Sequence, residues 1–213
     1  MADNVMERRN KCFGETVAAN LRKHGFDAYY CNNRQEALKK ALELIPKKDI
    51  VSWGGSVTIQ EIGLLEAVRN SYRVIDRDKA ATMEEKLEMM RQALLCDTFL
   101  MSSNGISEDG QLVNIDGIGN RCAALVYGPR QVLIFAGINK ITKTVEEASA
   151  RARNTAAPIN VQRFSDLNVP CHKTGVCSNC QIEDSVCCQI VTTRRCRPAR
   201  RIKVILIGEN LGY

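Results

Sequence analysis

Two rhythms of apolar residues run along the chain. Ala37, Leu38, Ala41, Leu42 and Ile45 recur at the three-and-four spacing of one helix face, and the run stops before Pro46. Asn33-Arg-Gln-Glu36, Thr82-Met-Glu-Glu85 and Thr144-Val-Glu-Glu147 each set a capping side chain three residues ahead of a glutamate. That arrangement satisfies the unpaired amides of a first turn, so a helix is expected at each. An earlier helix is expected from about Met6 to His24, ended by Gly25. Between these stretches lie short apolar runs: Ile50–Trp53, Tyr72–Ile75, Thr98–Met101, Gln131–Ala136 and Ile202–Ile207. Most are continuously apolar rather than alternating, as strands covered on both faces are.

Strands and helices in turn predict an α/β fold: a three-layer, open and mostly parallel sheet with helices on each side. The pattern breaks near Pro158 into sequence rich in Cys, Asn, Arg and Ser, then regains a strand at the end. Residues 1–160 read as the α/β domain. Residues 161–213 read as a cysteine-rich extension, ordered by a metal, that returns a final strand to the main sheet.

Composition narrows the class. With 45% hydrophobic and 25% charged residues in 213 positions, the chain has the balance of a globular protein. No apolar run approaches the ~20 residues of a membrane span, and the N-terminus turns charged within a few residues, so a cytoplasmic protein without membrane attachment is expected. The net charge of +6 arises partly from Arg194–Lys203, where six of ten side chains are basic. Such a run attracts anions: nucleic acid, an acidic protein, a phosphorylated metabolite or a nearby thiolate cluster.

In open parallel sheets, ligands bind beyond the carboxyl ends of the strands, so the loops there carry the candidate chemistry. Gly54-Gly-Ser-Val-Thr58 follows the strand at Ile50–Trp53. Its glycines allow close backbone approach, and Ser56 and Thr58 are suited to an anion, although the loop matches neither a dinucleotide fingerprint nor a Walker loop. Ser102–Gly110 is dense in polar groups; Asp109-Gly110 is a hairpin turn signal, which leaves Asn104, Ser107 and Glu108 for a ligand. Gly117–Arg121 offers Asn120 and an arginine able to grip an oxyanion with two parallel bonds. Gly137–Lys140 places Asn139 and Lys140 after the most apolar strand. Histidines number two, His24 and His172, and no Ser-His-Asp triad is apparent, so Glu61 and Glu108 are the candidate catalytic carboxylates, as nucleophile or base.

Six of the ten cysteines fall between Cys171 and Cys196. Without an export signal, grouped cysteines indicate metal or redox chemistry rather than disulfides. Cys177 and Cys180 form a CxxC pair; Cys171 and either Cys187 or Cys188 would complete a four-sulfur tetrahedron suited to zinc, with His172 a possible replacement. An iron–sulfur cluster would use the same residues, and a redox pair at Cys177 and Cys180 is a further alternative. Cys12, Cys31, Cys96 and Cys122 are read as small buried side chains.

Taken in order, Trp53–Gly63, Ser103–Gly110, Asn120–Pro129, Gly137–Lys140 and Ala148–Arg153 resemble the lactate-utilization (LUD) domain family over most of the chain up to about Asn160. The resemblance implies a fold like that of sugar-phosphate isomerases and coenzyme A transferases. It also implies a role in bacterial oxidation of L-lactate alongside iron–sulfur partner subunits, with Gly54, Gly55, Ser56 and Thr58 against the anionic part of the ligand. The leading expectation is an accessory subunit or enzyme of organic-acid metabolism that binds a small anionic metabolite. Alternatives are an independent enzyme acting on a sugar phosphate or acyl-coenzyme A, and a nucleic-acid-binding metal module. With 5% aromatic residues and no second basic face, the last is disfavoured.

Overall fold

The structure, a computed structural model, describes residues 3–213; Met1 and Ala2, at the start of the charged N-terminus, lie outside the described residues. Helix α1 (Asp3–Lys23) ends at Gly25, whose φ of +82° suits glycine. Strand β1 (Asp27–Cys31) follows. Helix α2 (Arg34–Leu44) begins where Asn33 accepts a bond from Glu36 N at 2.9 Å. Next come β2 (Ile50–Trp53), α3 (Val57–Glu61), α4 (Leu64–Ser71), and β3 (Arg73–Val74), a strand of two residues where four were expected. Helix α5 (Met83–Gln92) is capped by Thr82 and leads to β4 (Thr98–Ser102), β5 (Gly105–Ser107) and β6 (Leu112–Asp116).

Helix α6 (Asn120–Val126), β7 (Gln131–Gly137) and β8 (Ile141–Thr142) precede α7 (Val145–Arg151), which Thr144 caps. A π-turn, Ala152–Ala156, joins α7 to α8 (Ala157–Val161). Its cause is local: Pro158 has no N–H for the carbonyl four residues back, and the helix widens by one residue, with Ala157 N bonding Ala152 O. Short α9 (Pro170–Thr174), β9 (Gln189–Thr193) and β10 (Ile202–Ile207) complete the chain. At all three expected caps the glutamate reaches back one residue beyond the cap, to Asn32 N, Ala81 N and Lys143 N.

Six strands form one parallel sheet in the order β1-β10-β7-β4-β2-β3. Its continuous apolar runs follow from burial on both faces. Phe99, Met101, Val132, Ile134 and Val204 pack with Val17 and Leu21 of α1 and Leu125 of α6. Their neighbours Leu100, Leu133, Phe135 and Ile205 point the other way, against Ala37 and Ala41 of α2 and Leu64, Leu65 and Val68 of α4. Strand β10, from the cysteine-rich extension, lies between β1 and β7 rather than at an edge.

A second, four-stranded sheet was not expected. Its order is β8-β5-β6-β9, and β9 also comes from the extension, antiparallel to β6. The turn at Asp109-Gly110 joins β5 to β6 as its sequence indicates. Gly110 has φ +98°, and a Cβ there would lie 2.8 Å from Leu21 N, so the hairpin sits directly on α1. Among the described residues no helix is long and apolar enough to cross a membrane.

Candidate functional site

All six parallel strands end at one rim, where the loops after β2, β4 and β7 meet. Lys140 is their meeting point. It is 3% exposed, and its Nζ donates to Thr58 Oγ1 and Ser102 Oγ, both at 2.9 Å. Neither partner is charged. Burial first, then the guanidinium charges of Arg151 and Arg121, push the ammonium down from the usual lysine range to about 7, with Glu61 opposing. A lysine that titrates near neutrality can present either a cation or a free amine at cellular pH.

The surrounding residues explain the position. Gly54 packs so closely on Arg121 that a Cβ would sit 2.9 Å from its Cγ and Cδ. Ser56 caps α3, its Oγ accepting from Ile59 N at 3.3 Å, so much of its capacity is spent on the backbone. Thr58, besides accepting from Lys140, donates to Leu211 O at 3.4 Å. Arg151, from the end of α7, donates to Asn139 O at 3.0 Å and to Asn104 O, tying the loops after β7 and β4 together.

Arg121 does not offer the free fork expected of it. Its Nε donates to Asp116 Oδ1 at 2.9 Å; Nη1 donates to Ser102 O and Asn114 Oδ1 at 2.8 and 2.9 Å; and Nη2 donates to Asn104 Oδ1 and Ile115 O, both at 2.7 Å. A guanidinium has five N–H groups, and all five are used. Asn104 is bound to this arginine, and its Oδ1 also accepts from Ile115 N at 3.0 Å. Asn120 opens α6 beside them.

The two candidate carboxylates part company. Glu61 stands at the rim, its Oε2 accepting from Gly212 N at 2.7 Å. Glu108 lies on the β5–β6 turn, paired with Lys143 Nζ at 2.6 Å, away from Lys140.

Sequence reasoning overlooked three features. Residues 211–213 cross the rim: Asn139 accepts from Leu211 N at 3.1 Å and donates to Gly212 O at 3.2 Å, and a Cβ on Gly212 would lie 2.5 Å from Thr58 Oγ1 and 3.2 Å from Lys140 Nζ. Arg151 is the second feature. The third is Arg77, from the 3₁₀ turn after β3, whose Nη2 lies 3.1 Å from the place of a Cβ on Gly55. Only Arg151 left a trace in the sequence, as part of Ala148–Arg153.

In the extension, Cys171, Cys177, Cys180 and Cys187 lie within one another's electrostatic reach. Burial raises the Cys171 thiol, and Cys180 and Cys177 add to the effect. Burial pushes Cys187 up to about 11, with Cys177, Cys171 and Cys180 contributing. Cys188 is exposed and turns away, its Sγ bonding Ser185 O at 3.1 Å. Among the described residues, no three His, Cys, Asp or Glu side chains converge closely enough to hold a metal. All ten thiols are free; Cys31, Cys96 and Cys122 are buried as expected, whereas Cys12 is exposed. In the basic segment, Arg201 donates to Pro129 O at 3.1 Å and to Leu125 O at the end of α6, an internal use of positive charge.

A crystal structure of a DUF162 family protein from Deinococcus radiodurans matches this fold with a TM-score of 0.53 and 12% identity, over 93% of this chain and 98% of that one. No curated protein matches the sequence. The family model of the LUD domain matches residues 14–207, a span that includes Lys140, the clustered cysteines and β10. The chain belongs to the LUD domain family.

Proposed function

We propose that the rim binds a small anionic metabolite with Lys140 facing its carboxylate, in the service of lactate or related organic-acid utilization, as an enzyme or as an accessory subunit beside iron–sulfur proteins. The finer fold assignment, to the sugar-phosphate isomerase and coenzyme A transferase type, belongs to the same reading. The observation that carries it is Lys140 itself. A buried ammonium held by two hydroxyls without a carboxylate partner is an electrostatic vacancy that a ligand's negative charge fills. Because Gly212 packs over the amine, residues 211–213 must lift for a ligand to reach it.

The binding should depend on pH in a defined sense. Only the protonated amine attracts an anion, and burial places its titration near 7. Calorimetric titration with L-lactate and with pyruvate should show Kd constant below that point and rising about tenfold per pH unit above it. A Kd flat from pH 6 to 8.5, or no binding of either acid, would count against the reading.

A metal at the cysteines is the second element of the proposal. Four thiols from α9 and the loops after it are grouped, and soft sulfur donors suit zinc, or iron in a cluster. Cys171, Cys177, Cys180 and Cys187 would hold it, drawing the loop inward, with Cys188 outside the set. Protein purified without oxygen should carry about one zinc per chain. The metal should be lost in Cys177→Ser and retained in Cys188→Ser. A brown, iron-rich protein would replace zinc with a cluster, and metal-free protein would end the proposal.

A further inference from the structure

The fold gives the guanidinium of Arg77 one distant carboxylate and no hydrogen bond at Nε. Its side chain is 15% exposed, and its Nε is buried without a hydrogen-bond partner among the described residues. The nearest carboxylate oxygen, Asp78 Oδ1, stands 3.7 Å from Nε, too far for a hydrogen bond. Asp78 is engaged elsewhere: its Oδ2 accepts from Trp53 Nε1 at 2.9 Å and from Arg69 at 3.2 Å. Two other arginines here, the buried Arg121 and the exposed Arg69, are treated differently. Arg121 has an acceptor for every donor, and Arg69 chelates Asp76 at 2.8 and 3.2 Å. A buried charged donor without a hydrogen bond is destabilising, and an acceptor arriving from solution would relieve it.

The position of Arg77 indicates what that partner is. Its fork arrives at Gly55, the one exposed residue of the Gly54–Ser56 turn. Thr58, further along the same loop, holds Lys140. The loop thus has a lysine at its buried end and an arginine at its open end. A second guanidinium, Arg163, lies in the field of Arg77; it is exposed, makes long bonds of 3.4 Å to Asn160 and Tyr213, and lies over the Phe164 ring at 5.9 Å. Two guanidiniums match a dianion, and each presents the planar fork that phosphate oxygens accept in pairs, whereas a single carboxylate would neutralise only one of them.

We propose that Arg77, with Arg163 beside it and the Gly55 backbone beneath, binds a phosphoryl group of the substrate whose carboxylate faces Lys140. This rests on the rim reading above and narrows it to phosphorylated organic acids.

The test compares two probes on the full chain at matched ionic strength: 3-phosphoglycerate and glycerate, which share a carboxylate and differ in the phosphoryl group. Titration calorimetry should show the phosphorylated acid binding about tenfold tighter or more, the worth of one to two charged hydrogen bonds. Arg77→Gln should erase that preference, bringing the two probes to about equal affinity. Arg163→Gln, made on an exposed side chain, should reduce the preference about threefold and decides the matter if Arg77→Gln does not fold. Equal affinity for the two probes, or a preference undiminished in the folded variants, overturns the phosphoryl site alone. Failure of both probes to bind overturns the rim reading with it.

Discussion

Replacing Arg121 with methionine should cost about 3–5 kcal/mol of stability, enough to leave much of the chain unfolded at 37 °C. The loss comes from what remains behind. Asp116, itself buried, keeps one bond, from Cys122 N to Oδ2 at 2.7 Å, but loses the counter-charge on Oδ1. The carbonyls of Ser102 and Ile115 and the amide oxygens of Asn104 and Asn114 each lose a donor in a place water reaches poorly. These acceptors come from β4, the loop after it and β6, so the arginine pins the second sheet to the parallel one. Gly54, resting on the arginine's methylene groups, would lose its support as well. Arg121→Lys should recover part of the loss, since an ammonium restores the charge but has three donors for five acceptors. Urea unfolding followed by circular dichroism measures both. A cost under about 1 kcal/mol for the methionine variant would show that the arginine's bonds are not what joins the sheets.

The parallel sheet was legible because burial on both faces writes a continuous apolar run, and β2, β4, β7 and β10 each carry one. Helix starts were legible because Asn33, Thr82 and Thr144 act through local bonds that a four-residue window contains. Strand β1 escaped because Asp27-Ala-Tyr-Tyr-Cys31 has no run of branched aliphatic residues; it is fixed by parallel pairing with β10, some 175 residues away. Strands β5 and β8 have three and two residues, too short for any period to show. Their sheet exists through tertiary pairing alone.

For the site, sequence located the loops but not the division of labour within them. Lys140 and Arg121 each appear as a polar residue near a strand or helix end. Only the tertiary structure shows one stripped of counter-charge and the other saturated with acceptors. Arg77 left no mark, because what distinguishes it is a missing hydrogen bond at Nε, and a missing bond has no local pattern. Residues 211–213 were overlooked for a related reason: their role depends on Thr58 and Glu61 of α3 and on Asn139 after β7, which lie far from them in sequence.

Lys140→Met should make the chain more stable than the wild type below pH 7, and the advantage should shrink as pH rises toward 9. The sign follows from the two protonation states. Unfolded, the amine titrates near the ordinary lysine value of 10.5; folded, burial brings it to about 7. Between those values the unfolded chain binds a proton that the folded chain does not, so this group makes folding more favourable as pH increases, by roughly 1.4 kcal/mol per pH unit. Below 7 both states carry the charge and the folded chain bears the whole penalty of burying it. Methionine has nearly the same reach and no charge, so the penalty disappears. The two hydroxyls lose only a donor to their oxygens; each keeps its own outgoing bond, Thr58 to Leu211 O at 3.4 Å and Ser102 to Ser103 O at 3.3 Å. The difference between the two stability curves is the quantity to read, because every other titrating group, the buried thiols included, contributes equally to both. Parallel curves from pH 6 to 9 would mean that the amine keeps its ordinary proton affinity, and a cation so hydrated would have no electrostatic vacancy to offer an anion.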